Sequence, residues 1–337
     1  MVDRAARIAS FLDAAGWGGA ERRVLAADAS FRRYDRLTRG DRRAVLMDAP
    51  PPREDVRPFL GLARHLVGLG YSAPRVFAED AEAGLLLLED LGDDTFTRLL
   101  ARGEDERALY ELATDLLIDL HRRPRVDAVP EGLPSYDDER LLDEAALLTG
   151  WYMPRIYGKP VAAATAREYR DLWRMALRKA RAVPETLVLR DYHVDNLMRI
   201  DRRAGIAACG VLDFQDAVRG PATYDLVSLV EDARRDIAAP LADAMRARYL
   251  AAFPDLDRDA FDRSMAILGA QRHAKVIGIF TRLCVRDGKP DYLPHIPRVW
   301  RLLDAACRHP ALGAVRAWLD AHIPPADRAV PPAEAGR

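Results

Sequence analysis

Two acids and an amide carry the most specific chemistry in this sequence. The run Leu189-Arg190-Asp191-Tyr192-His193-Val194-Asp195-Asn196 sets an aspartate five residues ahead of an asparagine. The run Gly210-Val211-Leu212-Asp213-Phe214-Gln215-Asp216 then delivers a further acid, Asp213, 17 residues after the amide. Phosphoryl transfer asks for such groups: a carboxylate beside the attacking hydroxyl, and oxygen ligands that hold Mg²⁺ against the β- and γ-phosphates. On that chemistry Asp191 is the candidate base, with Asn196 and Asp213 as the candidate metal ligands.

These residues need elements that converge. Thr186–Leu189 and Ile206–Leu212 read as short strands followed by polar loops, and a β-hairpin closes the distance between Asn196 and Asp213. Upstream, Ile8, Phe11, Leu12 and Ala15 recur at helical spacing before Gly16-Trp17-Gly18-Gly19. Arg32–Thr38 and Arg43–Asp48 flank Arg39-Gly40-Asp41, which predicts a hairpin. Pro50-Pro51-Pro52 ends the second strand, and Val56–Gly68 has helical periodicity. Leu85–Leu88 is a buried-strand pattern running into Glu89-Asp90-Leu91-Gly92, expected as a hinge. Helical patterns dominate after Thr95, notably Glu104–His121 and Thr165–Arg181. The expected division is a small sheet-plus-helix lobe over residues 1–92 and a helical lobe over 93–323. Residues 324–337, rich in Pro, Ala and charge, are expected to remain unpacked.

Arg190-Asp191 with Asn196 matches the kinase catalytic-loop pattern R-D-x-x-x-x-N, and Leu212-Asp213-Phe214 sits where kinases carry D-F-G. With Gly220-Pro221-Ala222-Thr223-Tyr224-Asp225-Leu226 after it, the sequence resembles the aminoglycoside phosphotransferase and choline kinase family. Asp28–Tyr34, Met47–Pro52, Gln271-Arg272-His273 and Arg286–Pro290 are similar to segments of its N-acetylmuramate/N-acetylglucosamine kinases of cell-wall recycling. The likeness runs from about Asp28 to Arg298.

The resemblance implies an α+β, bilobal protein-kinase-like fold and ATP-dependent phosphorylation of an amino sugar's anomeric hydroxyl. It places Asp28, Ala29, Ser30, Phe31 and Arg32 over the ATP phosphates, and Glu89, Asp90 and Leu91 against adenine. It makes Arg190 and Asp225 supports of the catalytic loop; on its own chemistry Asp225 is equally a helix cap. His193, Asp195, Arg272 and His273 are candidate substrate contacts, against a reading in which Arg272 and His273 belong to a solvated helix face. The sequence departs from the family at Leu189, where a histidine is frequent, and in Ala44-Val45-Leu46-Met47-Asp48, which lacks the phosphate-pairing lysine. Arg32, Arg33, Arg42 and Arg43 are the nearby cations, and spacing does not choose among them. Phosphorylation of an aminoglycoside, choline or homoserine, or a nucleotide-binding pseudokinase acting as an interaction module, are the rival readings.

Bulk properties narrow the classes further. A net charge of -1 gives no pull toward nucleic acid or anionic membrane. Apolar runs such as Val276–Phe280 fall far short of the roughly 20 residues of a membrane span, and no signal-peptide pattern opens the chain. Cys209, Cys284 and Cys307 are widely spaced and read as reduced thiols, consistent with a cytoplasmic protein. Gly68-Leu69-Gly70-Tyr71-Ser72-Ala73 follows a helix instead of a strand, so the dinucleotide fingerprint fails, and no P-loop occurs. A small-molecule substrate without an obligate protein partner is expected.

Overall fold

The computed structural model describes residues 4–27 and 31–333. Asp28, Ala29 and Ser30, expected over the phosphates, lie outside the described residues. Two compact units emerge: residues 1–116 with 194–217, and residues 117–193 with 218–337.

The first unit is built on a five-stranded antiparallel sheet of order β1-β2-β3-β5-β4. Its strands are β1 (Glu21–Ala27), β2 (Arg33–Arg39), β3 (Arg42–Asp48), β4 (Val76–Asp80) and β5 (Leu85–Leu88). Side chains alternate across a strand, so each run feeds two faces. Leu37, Ala44, Leu46, Leu85 and Leu87 pack with Ile8, Leu12 and Trp17 beside the opening helix Arg4–Ala14. Val45 and Leu88, of opposite parity, face a cavity instead. The β2–β3 hairpin turns at Gly40, whose φ of 58° suits a residue without Cβ. β1 and β4 were not anticipated. Both lie at sheet edges; Val24 is 54% and Phe77 53% exposed, so neither strand carries the apolar alternation that betrays a half-buried strand. The expected hairpin near the chemistry forms from β7 (Leu197–Arg199), a strand that was not anticipated, and β8 (Cys209–Val211), with Leu197 opposite Val211, while residues 206–208 at the start of the expected run form a 3-10 turn.

In the second unit, β6 (Glu185–Val188) pairs antiparallel with β9 (Val218–Pro221). The helix Arg258–Asp287 runs through the core with Ile267, Leu268, Ile277 and Phe280 buried. Gly278 permits a close approach there, since a Cβ would lie 2.3 Å from the Leu147 carbonyl carbon. The expectation of an unpacked tail fails for residues 324–333. Arg328 is 8% exposed, lies 5.1 Å over the Trp300 ring and pairs with Asp304 and Asp320, while Tyr152 Oη donates to the Ala329 carbonyl at 2.9 Å. One arginine stack does what the apolar-poor composition could not. Among the described residues no helix is long and apolar enough to cross a membrane, and the three cysteines are free and buried.

Candidate active site

The first unit holds a cavity of about 290 Å³, walled by Tyr34, Val45, Phe59, Leu88 and Met198 and reached by Asn196 and Asp213. Glu89, Asp90 and Leu91 also line it. The Glu89 carboxylate accepts from Arg202 at 3.0 Å and Arg203 at 2.7 Å. Asp90 accepts from Arg36 at 2.9 Å and from the Gly92 amide at 3.0 Å. These side chains brace the segment, so its shape against the cavity is set before any ligand arrives.

The β7–β8 hairpin brings the amide and the second acid together. The Leu212 amide donates to the Asn196 carbonyl at 2.9 Å, and Asn196 Nδ2 lies 3.4 Å from Asp213 Oδ2. Gln215 Nε2 donates to Asp213 Oδ1 at 2.8 Å. Asp213 adopts φ 56°, a left-handed conformation that costs on the order of 1–3 kcal/mol; below it Phe214 is fully buried and stacks on Phe59 at 5.0 Å. A pinned phenylalanine thus turns an exposed carboxylate toward the cavity. Among the described residues no group of three or more His, Cys, Asp or Glu is gathered for a metal. One carboxylate and one amide oxygen suit Mg²⁺, which takes few protein ligands and completes its shell with water and phosphate oxygen.

In the second unit the chain leaves β6 into Leu189-Arg190-Asp191. Asp225, in the first turn of the helix Thr223–Val230, accepts from the Leu189 amide at 2.6 Å and the Arg190 amide at 2.9 Å. Its carboxylate thereby holds the loop. Arg190 sits at φ 70°, its carbonyl accepting from Arg272 at 2.9 Å and its guanidinium paired with Glu144. Glu144 also takes Lys275 at 3.2 Å and the Tyr136 hydroxyl. Arg272 stands 3.6 Å from Asp191, whose side chain keeps 37% exposure. Burial pushes the Asp191 carboxyl up, but Arg272, Lys275, His193 and Arg190 outweigh it and hold the pKa at about 2.

The other expected contacts divide. Arg272 is bonded into the loop. His193 is buried, its pKa lowered by that burial against the pull of Asp232. Asp195, in the first unit, accepts from the Thr97 hydroxyl and lines the cavity. His273 is corrected: its side chain is 1% exposed and its Nε2 lies 2.8 Å from Glu231, which makes it a core partner with no surface for a substrate. The solvated-face reading of Gln271, Arg272, His273 and Lys275 fails likewise, because all four are buried. Glu144, Gln215 and Lys275 were missed as site residues: Gln215 and Lys275 lie beside the residues singled out but were not given a role, and Glu144, isolated in sequence, carries no spacing signal.

Asp225 gives the fold a pH signature. Burial pushes its carboxyl up to about 7 against the two backbone donors and Arg272, which favour the charge. The unfolded chain releases this proton near 3.8 and the folded chain holds it to about 7, so the group's contribution to stability falls as pH rises through that window. Asparagine does not titrate. The stability of Asp225→Asn relative to wild type should therefore rise between pH 5 and pH 8, by about 2–3 kcal/mol. Urea unfolding of both proteins at the two pH values reads the difference, and a constant offset rejects it. His121, whose pKa burial lowers to about 3, affects both proteins alike.

The sequence profile of the phosphotransferase enzyme family matches residues 21–261. The N-acetylmuramate/N-acetylglucosamine kinase of Caulobacter vibrioides is 39% identical, over 96% of this chain and 97% of its own. The protein of that name from Pseudomonas aeruginosa is 42% identical, over 89% and 88%. Among solved structures, a choline/ethanolamine kinase family protein from Mesorhizobium loti superposes with a TM-score of 0.61 at 14% identity, covering 94% of this chain and 99% of that one. The gentamicin complex of APH(2")-IIa gives 0.58 at 16%, covering 93% and 99%. These likenesses show the bilobal α+β kinase-like fold, and with a family match over most of its length the chain belongs to the phosphotransferase enzyme family.

Proposed function

We propose that this protein transfers the γ-phosphate of ATP to the anomeric hydroxyl of N-acetylmuramate or N-acetylglucosamine, giving the sugar 1-phosphate in the recycling of cell-wall peptidoglycan. The observation that carries it is Asp191, a partly exposed carboxylate kept ionised by buried cations on a loop pinned by Asp225. Its low basicity suits a hemiacetal hydroxyl, which is more acidic than an ordinary alcohol and needs only a weak base. The relatives named as kinases of these two sugars supply the acceptor class.

In this reading residues 1–92 act as the N-lobe and 93–323 as the C-lobe. Phe31, Arg32 and the undescribed Asp28–Ser30 meet the ATP phosphates, and Glu89–Leu91 meet adenine. Asn196 and Asp213 hold Mg²⁺, which neutralises charge on the transferred group when bound. Asp191 orients the hydroxyl and accepts its proton, with His193 and Asp195 as neighbouring contacts. The protein acts in the cytoplasm on a small molecule, without nucleic acid, membrane or obligate protein partner.

An ATP-consumption assay over N-acetylmuramate, N-acetylglucosamine, glucose and kanamycin tests the reading. Turnover is expected with the amino sugars and is expected to vanish with their 1-O-methyl glycosides. Turnover on kanamycin alone would move the assignment to a drug kinase. ATP binding without turnover on any acceptor would favour a pseudokinase.

A further inference from the structure

We propose that Arg32, aimed by Glu54, is the cation that meets the nucleotide phosphates in this chain, with Glu54 as its positioning residue. The inference rests on the reading of the first unit as the ATP-binding part. A triphosphate carries several negative charges, and a site that takes it needs a fixed cation besides the metal. β3 offers none toward the cavity: its cavity-facing residue is Val45, and the strand Arg42–Asp48 contains no lysine.

Other arginines near the sheet and cavity are committed elsewhere: Arg98, which lines the cavity, donates to the Asp93 carbonyl at 3.0 Å and pairs with the Asp93 carboxylate at 3.4 Å. Arg33 pairs with Asp35 at 2.9 Å, Arg36 with Asp90 and Asp93, and Arg42 lies 4.7 Å over the Trp17 ring. Arg43 lines an adjoining depression with Glu21 and Thr38, whose lining includes neither Asn196 nor Asp213. Arg32 is differently placed. Its Nε donates to Glu54 Oε2 at 3.1 Å, with both side chains only 15% exposed. The other oxygen, Oε1, accepts the Phe31 amide at 3.0 Å, and Arg53 lies 4.9 Å over the Phe31 ring. Residues 53 and 54 thus grip residues 31 and 32, and a single carboxylate fixes both the backbone and the guanidinium where the chain enters β2. Burial lowers the Arg32 pKa, yet Tyr34, Glu54 and Asp213 together raise it, so the guanidinium stays charged and within electrostatic reach of Asp213. Arg32 hydrogen-bonds Tyr34, and Tyr34 and Asp213 both line the cavity. A carboxylate taking Nε while also holding the backbone is an aiming device, because it fixes the direction of the guanidinium fork.

The test is calorimetric binding of ATP, ADP and adenosine to the full chain, alongside KM for ATP and kcat. Arg32→Ala should weaken ATP by on the order of 10–100-fold while leaving adenosine unchanged, since one charge-assisted contact is lost. Arg32→Lys should recover part of the loss. Glu54→Gln should weaken ATP about tenfold, again sparing adenosine, because the cation is present but unaimed. Equal losses for ATP and adenosine would mean a merely structural role and overturn the proposal, as would unchanged ATP affinity in Arg32→Ala. Arg32→Lys keeps charge and length, so it decides the matter if the alanine variant fails to fold: ATP affinity weakened several-fold with adenosine intact supports a fork-specific contact, wild-type ATP affinity overturns it, and wild-type affinity for both ligands in Glu54→Gln rejects the aiming role. Wild-type protein that bound neither ATP nor ADP would instead remove the nucleotide reading itself.

Discussion

Asp191→Asn should bind nucleotide as the wild type does and lose turnover by on the order of 10²–10⁴-fold, the range set by a positioned general base. The loss falls on kcat because the substitution is nearly isosteric and the loop's anchors lie elsewhere: Asp225 holds the Leu189 and Arg190 amides and Arg272 holds the Arg190 carbonyl. Nucleotide affinity is spared because Asp191 is not among the residues that line the cavity. A second consequence follows from charge. With its carboxyl at about 2, Asp191 is ionised throughout the working range, so it should impose no acid limb on kcat/KM between pH 5 and pH 8. Steady-state assays across pH with an ADP titration check both statements. Turnover within a few-fold of wild type would remove Asp191 from the chemistry.

How much of this the sequence announces depends on how local the signal is. Leu85–Leu88 shows itself as a buried strand because both faces are covered, and the segment over Arg57–Gly68 because Phe59, Leu60, Ala63 and Leu66 repeat at helical spacing. Asp191, Asn196 and Asp213 stand out through spacing, and the hairpin that joins the last two was expected from the length between them. β1 and β4 are edge strands whose alternation is hidden by exposed and charged residues, so periodicity is silent there. Burial of charge is the larger blind spot. The helix Asp138–Ala145 carries Asp138, Glu139, Asp143 and Glu144, and nothing local says that only the last turns inward to meet Arg190 and Lys275. His273 was misjudged for the same reason: its partner Glu231 is 42 residues away, and a helix buried on every side has no polar face to read.

Glu144 is where the second large effect is expected. Its carboxylate compensates two cations at once, Arg190 and Lys275, whose side chains are 11% and 6% exposed, and it accepts from the Tyr136 hydroxyl. Burial raises its pKa, but Lys275, Arg190 and Tyr136 outweigh that and hold it ionised. Removing one member of a buried charge group leaves the others desolvated and unpaired, which costs on the order of 3–5 kcal/mol. Glu144→Gln keeps size and one acceptor while deleting the charge, so its loss measures compensation instead of packing. The control is Glu82→Gln, since Glu82 is 83% exposed in its pair with Arg57 and a surface pair contributes about 0–1 kcal/mol. Urea unfolding of both variants should separate them clearly. The decisive step is the double variant Glu144→Gln with Lys275→Met, which removes the surplus cation and should recover stability relative to the sum of the single losses. If the two losses simply add, Glu144 contributes shape alone. If the double variant recovers stability yet turns over slowly, the charge group also serves to keep Arg190, at its left-handed φ of 70°, one residue from the base it presents.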